Sequence, residues 1–151
     1  MDDRMMGEAL KEARTGLEQG EVPIGAVVVL NGRIIGRGHN EVETRSLVSA
    51  HAEMLALGEA STAVGDWRLD GATVYVTVEP CHMCLGALFL SRVERVVFAA
   101  NQPRSGACVS VDDLGHRGLY GHDIEITGGV MKEESLLLLR EFFTRLRNEE
   151  I

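Results

Sequence analysis

His51 and Glu53 stand two residues apart in Ala50-His51-Ala52-Glu53, and Cys81 and Cys84 three apart in Pro80-Cys81-His82-Met83-Cys84. One imidazole and two thiols form a zinc donor set that leaves a fourth position open. Water held at such a position has its pKa lowered to roughly 7, which makes a nucleophile available near neutral pH. A carboxylate beside the metal but outside its ligand set can then move protons, a role worth about 10²–10⁴ in rate. Glu53 suits that role, because side chains two apart do not share a helical face.

The elements around these residues must bring the two halves together. Cys81 to Ser91 reads as a helix opening directly after Pro80, and a thiol in a first turn is favoured as thiolate by free amides and the positive end of the dipole. Ser49 is a good N-cap for a second helix that carries Met54, Leu55 and Leu57 and ends before Gly65. Two helix N-termini can therefore converge on one cation. Upstream, Met6, Ala9, Leu10, Ala13 and Leu17 recur at helical spacing, with Gly20 as a stop. Ile24 to Leu30 and Arg33 to Gly38 flank Asn31-Gly32, a strong hairpin signal. Thr73 to Val78 is a continuous strand run of the kind buried on both faces. Arg95 to Ala100 and Asp123 to Thr127 read as strands, and Lys132 to Asn148 as a long amphipathic helix. Between them, 101–121 is Gly-rich and irregular. Strands alternating with helices imply an α/β sheet covered on both faces, with later crossovers long enough for parallel pairing.

The totals set bounds. A chain of 151 residues with 45% hydrophobic content suits one domain spanning 1–151, with a core that needs no disulfide staples. No apolar run is long enough for a membrane span, and Met1-Asp2-Asp3-Arg4 lacks a signal-peptide pattern, so a cytoplasmic protein is expected. The net charge of -8 does not attract polyanions as a whole, so any nucleic acid must meet a local basic patch. With only three Cys, C-x-x-C fits a metal site, a redox pair or a structural zinc knuckle, the last closed by Cys108 or His82. His82, next to Cys81, points about 100° away from it on a helix. The upstream His-x-Glu is unusual for a redox pair and fits an open catalytic site.

The H-x-E…P-C-x-x-C pattern is the signature of nucleobase zinc deaminases. Around it the chain resembles the bacterial tRNA adenosine deaminases, of the cytidine deaminase superfamily, which convert the anticodon wobble adenosine to inosine. Glu21-Val22-Pro23-Ile24-Gly25-Ala26-Val27, Gly38-His39-Asn40, both zinc segments, Ser91-Arg92-Val93, Val96-Val97-Phe98 and His122-Asp123-Ile124-Glu125-Ile126 resemble successive family segments. Together with Glu141-Phe142-Phe143-Thr144-Arg145-Leu146-Arg147, the His122–Ile126 segment makes a C-terminal match that is narrower, and favours the tRNA-editing branch over guanine or cytosine deaminases. The resemblance implies a three-layer α/β/α cytidine-deaminase-like fold, a five-stranded mixed sheet and a homodimer acting on a tRNA anticodon loop. It also implies one Zn²⁺ per subunit on His51, Cys81 and Cys84, with Glu53 as proton shuttle. Asn40 would bond the nucleoside, Ile24 and Val27 wall the base pocket, and backbone near Ala52 and Pro80 hold the base. Of the candidate phosphate contacts Arg37, Arg45, Arg92, Arg95, Arg104, Arg145 and Arg147, Arg104 and Arg145 are preferred.

Three segments depart from that family. Leu47-Val48-Ser49 replaces a usual Asp-Pro-Thr, Gln102 and Arg104 stand where an Asp and a Lys are common, and the chain ends Asn148-Glu149-Glu150-Ile151 instead of in a basic tail. These changes leave the zinc set intact and bear on substrate. A small-molecule deaminase acting on guanine, cytosine or a related free base or nucleoside is the alternative enzyme. A zinc-stabilised binding scaffold is the alternative outside catalysis.

Overall fold

The structure, a computed structural model, describes residues 1–149; Glu150 and Ile151, the last of the acidic terminal residues, lie outside them. The elements run α1 (Asp2–Glu18), β1 (Gly25–Leu30), β2 (Arg33–His39), α2 (Val42–Arg45), α3 (Ala52–Val64), β3 (Thr73–Val78), α4 (His82–Leu90), β4 (Arg95–Ala100), a 3-10 turn at Leu114–His116, β5 (Glu125–Gly128) and α5 (Lys132–Glu149). The sheet order is β2-β1-β3-β4-β5. β1 pairs antiparallel with β2 and β3, whereas β3–β4 and β4–β5 are parallel, giving the five-stranded mixed sheet.

Strand alternation sorts the core into two layers. Ala26, Val28, Val74, Val76, Val96 and Phe98 pack with residues of α3 and α4, among them Ala52, Ala56, Leu85 and Leu88. Val27, Val29, Tyr75 and Val97 pack on the other face against Met5, Met6 and Ala9 of α1. Leu138 of α5 joins Ala13 and Leu17 on that side. Helices thus cover both faces, as the cytidine-deaminase-like architecture requires.

Several boundaries differ from the sequence reading. The Asn31-Gly32 turn has both residues at positive φ, 51° and 76°, the twist that matches a two-residue hairpin. Ser49 does not cap α3; His51 does. The Ala50 amide bonds Leu47 O and its carbonyl accepts from Glu41, so residues 47–50 close a turn and the helix starts after it. α2 is an added four-residue helix, and β5 starts at Glu125, two residues after the expected Asp123. Gly36 and Gly38 let α3 lie directly on β2: a Cβ there would sit 2.2 Å from Ala56 O and 2.6 Å from Ala52 O. Among the described residues, no helix is long and apolar enough to cross a membrane.

Candidate active site

His51 and Cys81 occupy equivalent places. Each is the N-cap of its helix, with extended backbone (φ −77°, ψ 153° and φ −77°, ψ 177°), and neither side chain caps its own helix. Both turn toward the same point. His51 Nδ1 lies 3.7 Å from Cys81 Sγ and 3.4 Å from Cys84 Sγ, and the three donor atoms lie within 4.8 Å of one another. A tetrahedral zinc with Zn–S near ~2.3 Å and Zn–N near ~2.05 Å separates nitrogen and sulfur by about 3.6 Å. The donor set and its spacing therefore fit zinc.

Cys84 donates to Cys81, whose pKa falls to about 5; burial opposes the fall, and the amides of Cys84 and Met83 assist it. Cys84 is correspondingly pushed far up, by that donation and by burial. Glu53 sits in the first turn of α3 and is buried. Burial raises its carboxyl to about 7, its own amide works against the rise, and the neighbouring Cys81 thiolate adds to it. A base beside the donor set is thus balanced near neutrality.

A cavity of about 240 Å³ opens beside this group, lined by His51, Ala52, Glu53 and Cys81 together with Ile24, Asn40, Glu79 and Gln102. Asn40 Oδ1 accepts from the Val42 amide at 3.4 Å, so the donor end of the side chain is left for a ligand. Val27 does not line it. Ile24 and Val27 differ by an odd number of positions, and Val27 is fully buried against α1 on the opposite face. Pro80 is buried and does not line the cavity either; its carbonyl accepts from Ala107 at 2.9 Å.

The family model of the MafB19-like deaminases matches residues 1–147. The tRNA-specific adenosine deaminase of Bacillus subtilis is 50% identical over 99% of this chain and 92% of that protein. The chain belongs to the tRNA-specific adenosine deaminases. The Aquifex aeolicus tRNA-specific adenosine deaminase is 44% identical to it, over 95% of this chain and 94% of that protein. A solved tRNA:A34 deaminase, studied for A-to-I editing at the wobble position of transfer RNA, superposes with a TM-score of 0.85 at 39% identity, over 90% of this chain and 99% of that one. The guanine deaminase of Nitrosomonas europaea shares the fold at a TM-score of 0.82 and 26% identity, over 93% of this chain and 83% of that one.

In this deaminase the closed structural zinc site does not form among the described residues. Cys108 is buried in the core, where burial raises its thiol to about 12, and His82 pairs with Asp112 at 2.6 Å on the surface. Neither joins the three donors.

Most arginines raised as phosphate contacts have other partners. Arg37 pairs with Glu8 at 2.9 Å, Arg45 with Glu41 at 3.2 Å and Arg95 with Asp2 at 2.8 Å. Arg92 bonds Tyr120 O, and Arg147 bonds Thr144 Oγ1. Arg145 pairs with Glu141 at 2.7 Å and lies 3.8 Å from Glu18. Arg104 makes no ion pair among the described residues. It lines a groove with Val22, Ile24, Gln102, Pro103, Leu136 and Phe143, and so adjoins the cavity through Ile24 and Gln102.

Two buried carboxylates that the sequence reading left without a role organise the mouth. Glu21 accepts from the Glu43 and Thr44 amides at 3.2 and 2.6 Å and from Thr44 Oγ1 at 2.6 Å, holding α2 in place. Glu79 accepts from the amides of Gln102, Val109 and Ser110 at 3.1, 2.8 and 2.9 Å, and from Ser110 Oγ. Burial favours the neutral form of Glu79, but the bonds from Ser110, Val109 and Gln102 outweigh it and hold the pKa below the usual carboxylate value. The available signal was a Glu at each apolar strand's edge, Glu21 before Val22-Pro23-Ile24 and Glu79 directly after Val78.

Proposed function

We propose that the chain is a zinc-dependent hydrolase that deaminates adenosine to inosine at the wobble position of tRNA. The observation that carries the reading is the buried Glu53 carboxyl beside three converging zinc donors, at the edge of a cavity, in a chain half identical to a tRNA-specific adenosine deaminase.

His51 Nδ1, Cys81 Sγ and Cys84 Sγ would hold the ion. When bound, zinc supplies Lewis-acid activation of a water molecule. Glu53 would take one proton from the attacking water and pass it to the ring nitrogen beside C6, then take the second proton from the oxygen newly bonded to C6 and hand it to the departing amine, as the C6–N bond breaks. Water and adenosine become inosine and ammonia. A carboxyl balanced near pH 7 can both accept and return a proton, the condition for general acid/base work. The anticodon loop presents its bases unpaired, so the target can leave the stack and enter the cavity. Ile24 then walls the base, and Asn40 and the backbone at Ala52 hold it.

Arg104, in the groove that adjoins the cavity, would meet a phosphate of the loop. The reading includes one domain over 1–151, a cytoplasmic location with its substrate, and a homodimer. Inosine formed at the wobble position of a transcribed anticodon stem-loop, and lost in Glu53→Gln, tests the activity.

A further inference from the structure

We infer that Glu79 is a positioning residue for the RNA: its carboxylate fixes the 101–111 segment against the cavity and so sets substrate affinity, not the rate of the chemical step. The inference rests on the functional reading above and adds a residue that touches neither the reacting atoms nor the metal donors.

The carboxylate is a hub. An ionised Glu has about four acceptor sites, and here they face the amides of Gln102, Val109 and Ser110, the Ser110 hydroxyl and, at 3.4 Å, Asn101 Nδ2. The donors come from 22 to 31 residues away in sequence, so one side chain closes both ends of the irregular segment. Gly106 is moulded over it: a Cβ there would lie 2.4 Å from Glu79 Cδ. The adjacent backbone makes the same attachment, with Glu79 N bonded to Ala100 O at 2.8 Å and Ala107 N to Pro80 O at 2.9 Å.

Position explains why this matters for substrate. Glu79 lies between the end of β3 and Cys81, so the chain that delivers a metal donor also anchors the opposite lip of the cavity. That lip carries Gln102 and Ser105 in the cavity wall, and Gln102 and Arg104 in the adjoining groove. The span from metal donors to lip is thereby set by two residues of backbone and one carboxylate. Without the carboxylate the part-buried amides of Gln102, Val109 and Ser110 lose a shared charged acceptor, and the two ends of the segment lose their common anchor.

The test compares zinc-loaded wild type with Glu79→Gln, Ser110→Ala and Gly106→Ala. It uses a transcribed anticodon stem-loop, zinc content, single-turnover rates at saturating RNA, and amide hydrogen exchange at Gln102, Val109 and Ser110. Glu79→Gln is expected to retain one zinc per chain and to raise KM about tenfold, with a single-turnover rate within about threefold of wild type. Exchange at the three amides rises in parallel. Ser110→Ala gives a smaller KM rise, and Gly106→Ala raises KM with the carboxylate intact. Unchanged KM and exchange in Glu79→Gln, or equal losses of rate, zinc and fold, overturn the inference. If Glu79→Gln does not fold, unchanged KM in both Ser110→Ala and Gly106→Ala overturns it. If wild type itself leaves the RNA unedited, the functional reading fails, and the exchange data still decide whether Glu79 orders the segment.

Discussion

His51 Nδ1 stands 3.4 Å from Cys84 Sγ although 33 residues separate them, because α3 and α4 both begin at one end of the sheet and aim their first turns at one point. That convergence turns two short motifs into one candidate metal centre. The capping residues explain it. An N-cap lies outside the helix with extended backbone, so its side chain is free to turn away from the axis, and at both His51 and Cys81 it turns toward the other helix.

Removing a donor should remove the metal. Cys84→Ser and His51→Ala are expected to lose stoichiometric zinc and, with it, detectable ammonia release, as read by elemental analysis and an ammonia assay on the same preparations. Chelation of wild type should give the same loss, reversed by added zinc. A variant that loses activity while keeping full zinc would place the chemistry elsewhere.

Glu53→Gln should keep zinc and fold while activity falls by at least about 10²-fold. Its effect on the metal-free chain has a definite sign. The Glu53 carboxyl titrates near pH 7 when folded, against an ordinary 4.5, so the folded chain binds the extra proton between those values. Stability of the metal-free wild type from this group therefore falls as pH rises from about 4.5 to about 7, by on the order of 3 kcal/mol, and is flat above. Glu53→Gln removes that downward slope, so Tm at pH 8 minus Tm at pH 5, read by thermal unfolding of the metal-free chains, should be more positive in the variant than in wild type.

Ile24 and Val27 separate pocket from core. Ile24→Ala should raise KM for the RNA with a modest change in Tm. Val27→Ala should cost about 2 kcal/mol of stability and leave KM unchanged, because its side chain packs against α1. Urea unfolding and steady-state kinetics on the pair read the two effects apart.

Arg104 and Arg145 should differ in the same way. Arg104→Ala is expected to weaken RNA binding and to lower the slope of log affinity against log salt by roughly 0.7–0.9, the signature of one lost phosphate contact. Arg145→Ala, whose guanidinium is paired with Glu141, should leave the slope unchanged. Binding titrations at several salt concentrations decide between them.

Much of this frame is legible from the chain itself. Thr73–Val78 is made of β-branched and aromatic residues and Arg95–Ala100 is apolar after its first residue, so a buried strand suits both, and both run as read. Asn31-Gly32 needs positive φ at two successive residues, which that pair tolerates best. The His-x-Glu and C-x-x-C halves each announce a helix start. What sequence does not carry is the partner of a side chain far along the chain. Ser49 looks like a cap until Ala50 bonds Leu47 and Glu41, and α2 exists because Glu21 accepts its amides from 22 residues upstream. Arg145 also lies 3.8 Å from Glu18 of α1, a neighbour that no local pattern indicates. The face of Val27 depends on strand parity across the start of β1, which one irregular residue would reverse.

The decisive measurement is base conversion in RNA. Zinc-loaded protein is incubated with an anticodon stem-loop bearing adenosine at the wobble position and, separately, with free guanine, cytosine and adenosine; inosine is scored by nucleoside analysis and ammonia by a coupled assay. One inosine and one ammonia per RNA, lost in Glu53→Gln, is the result expected of the site described above. Ammonia from free guanine or cytosine, with no inosine in the RNA, would contradict it.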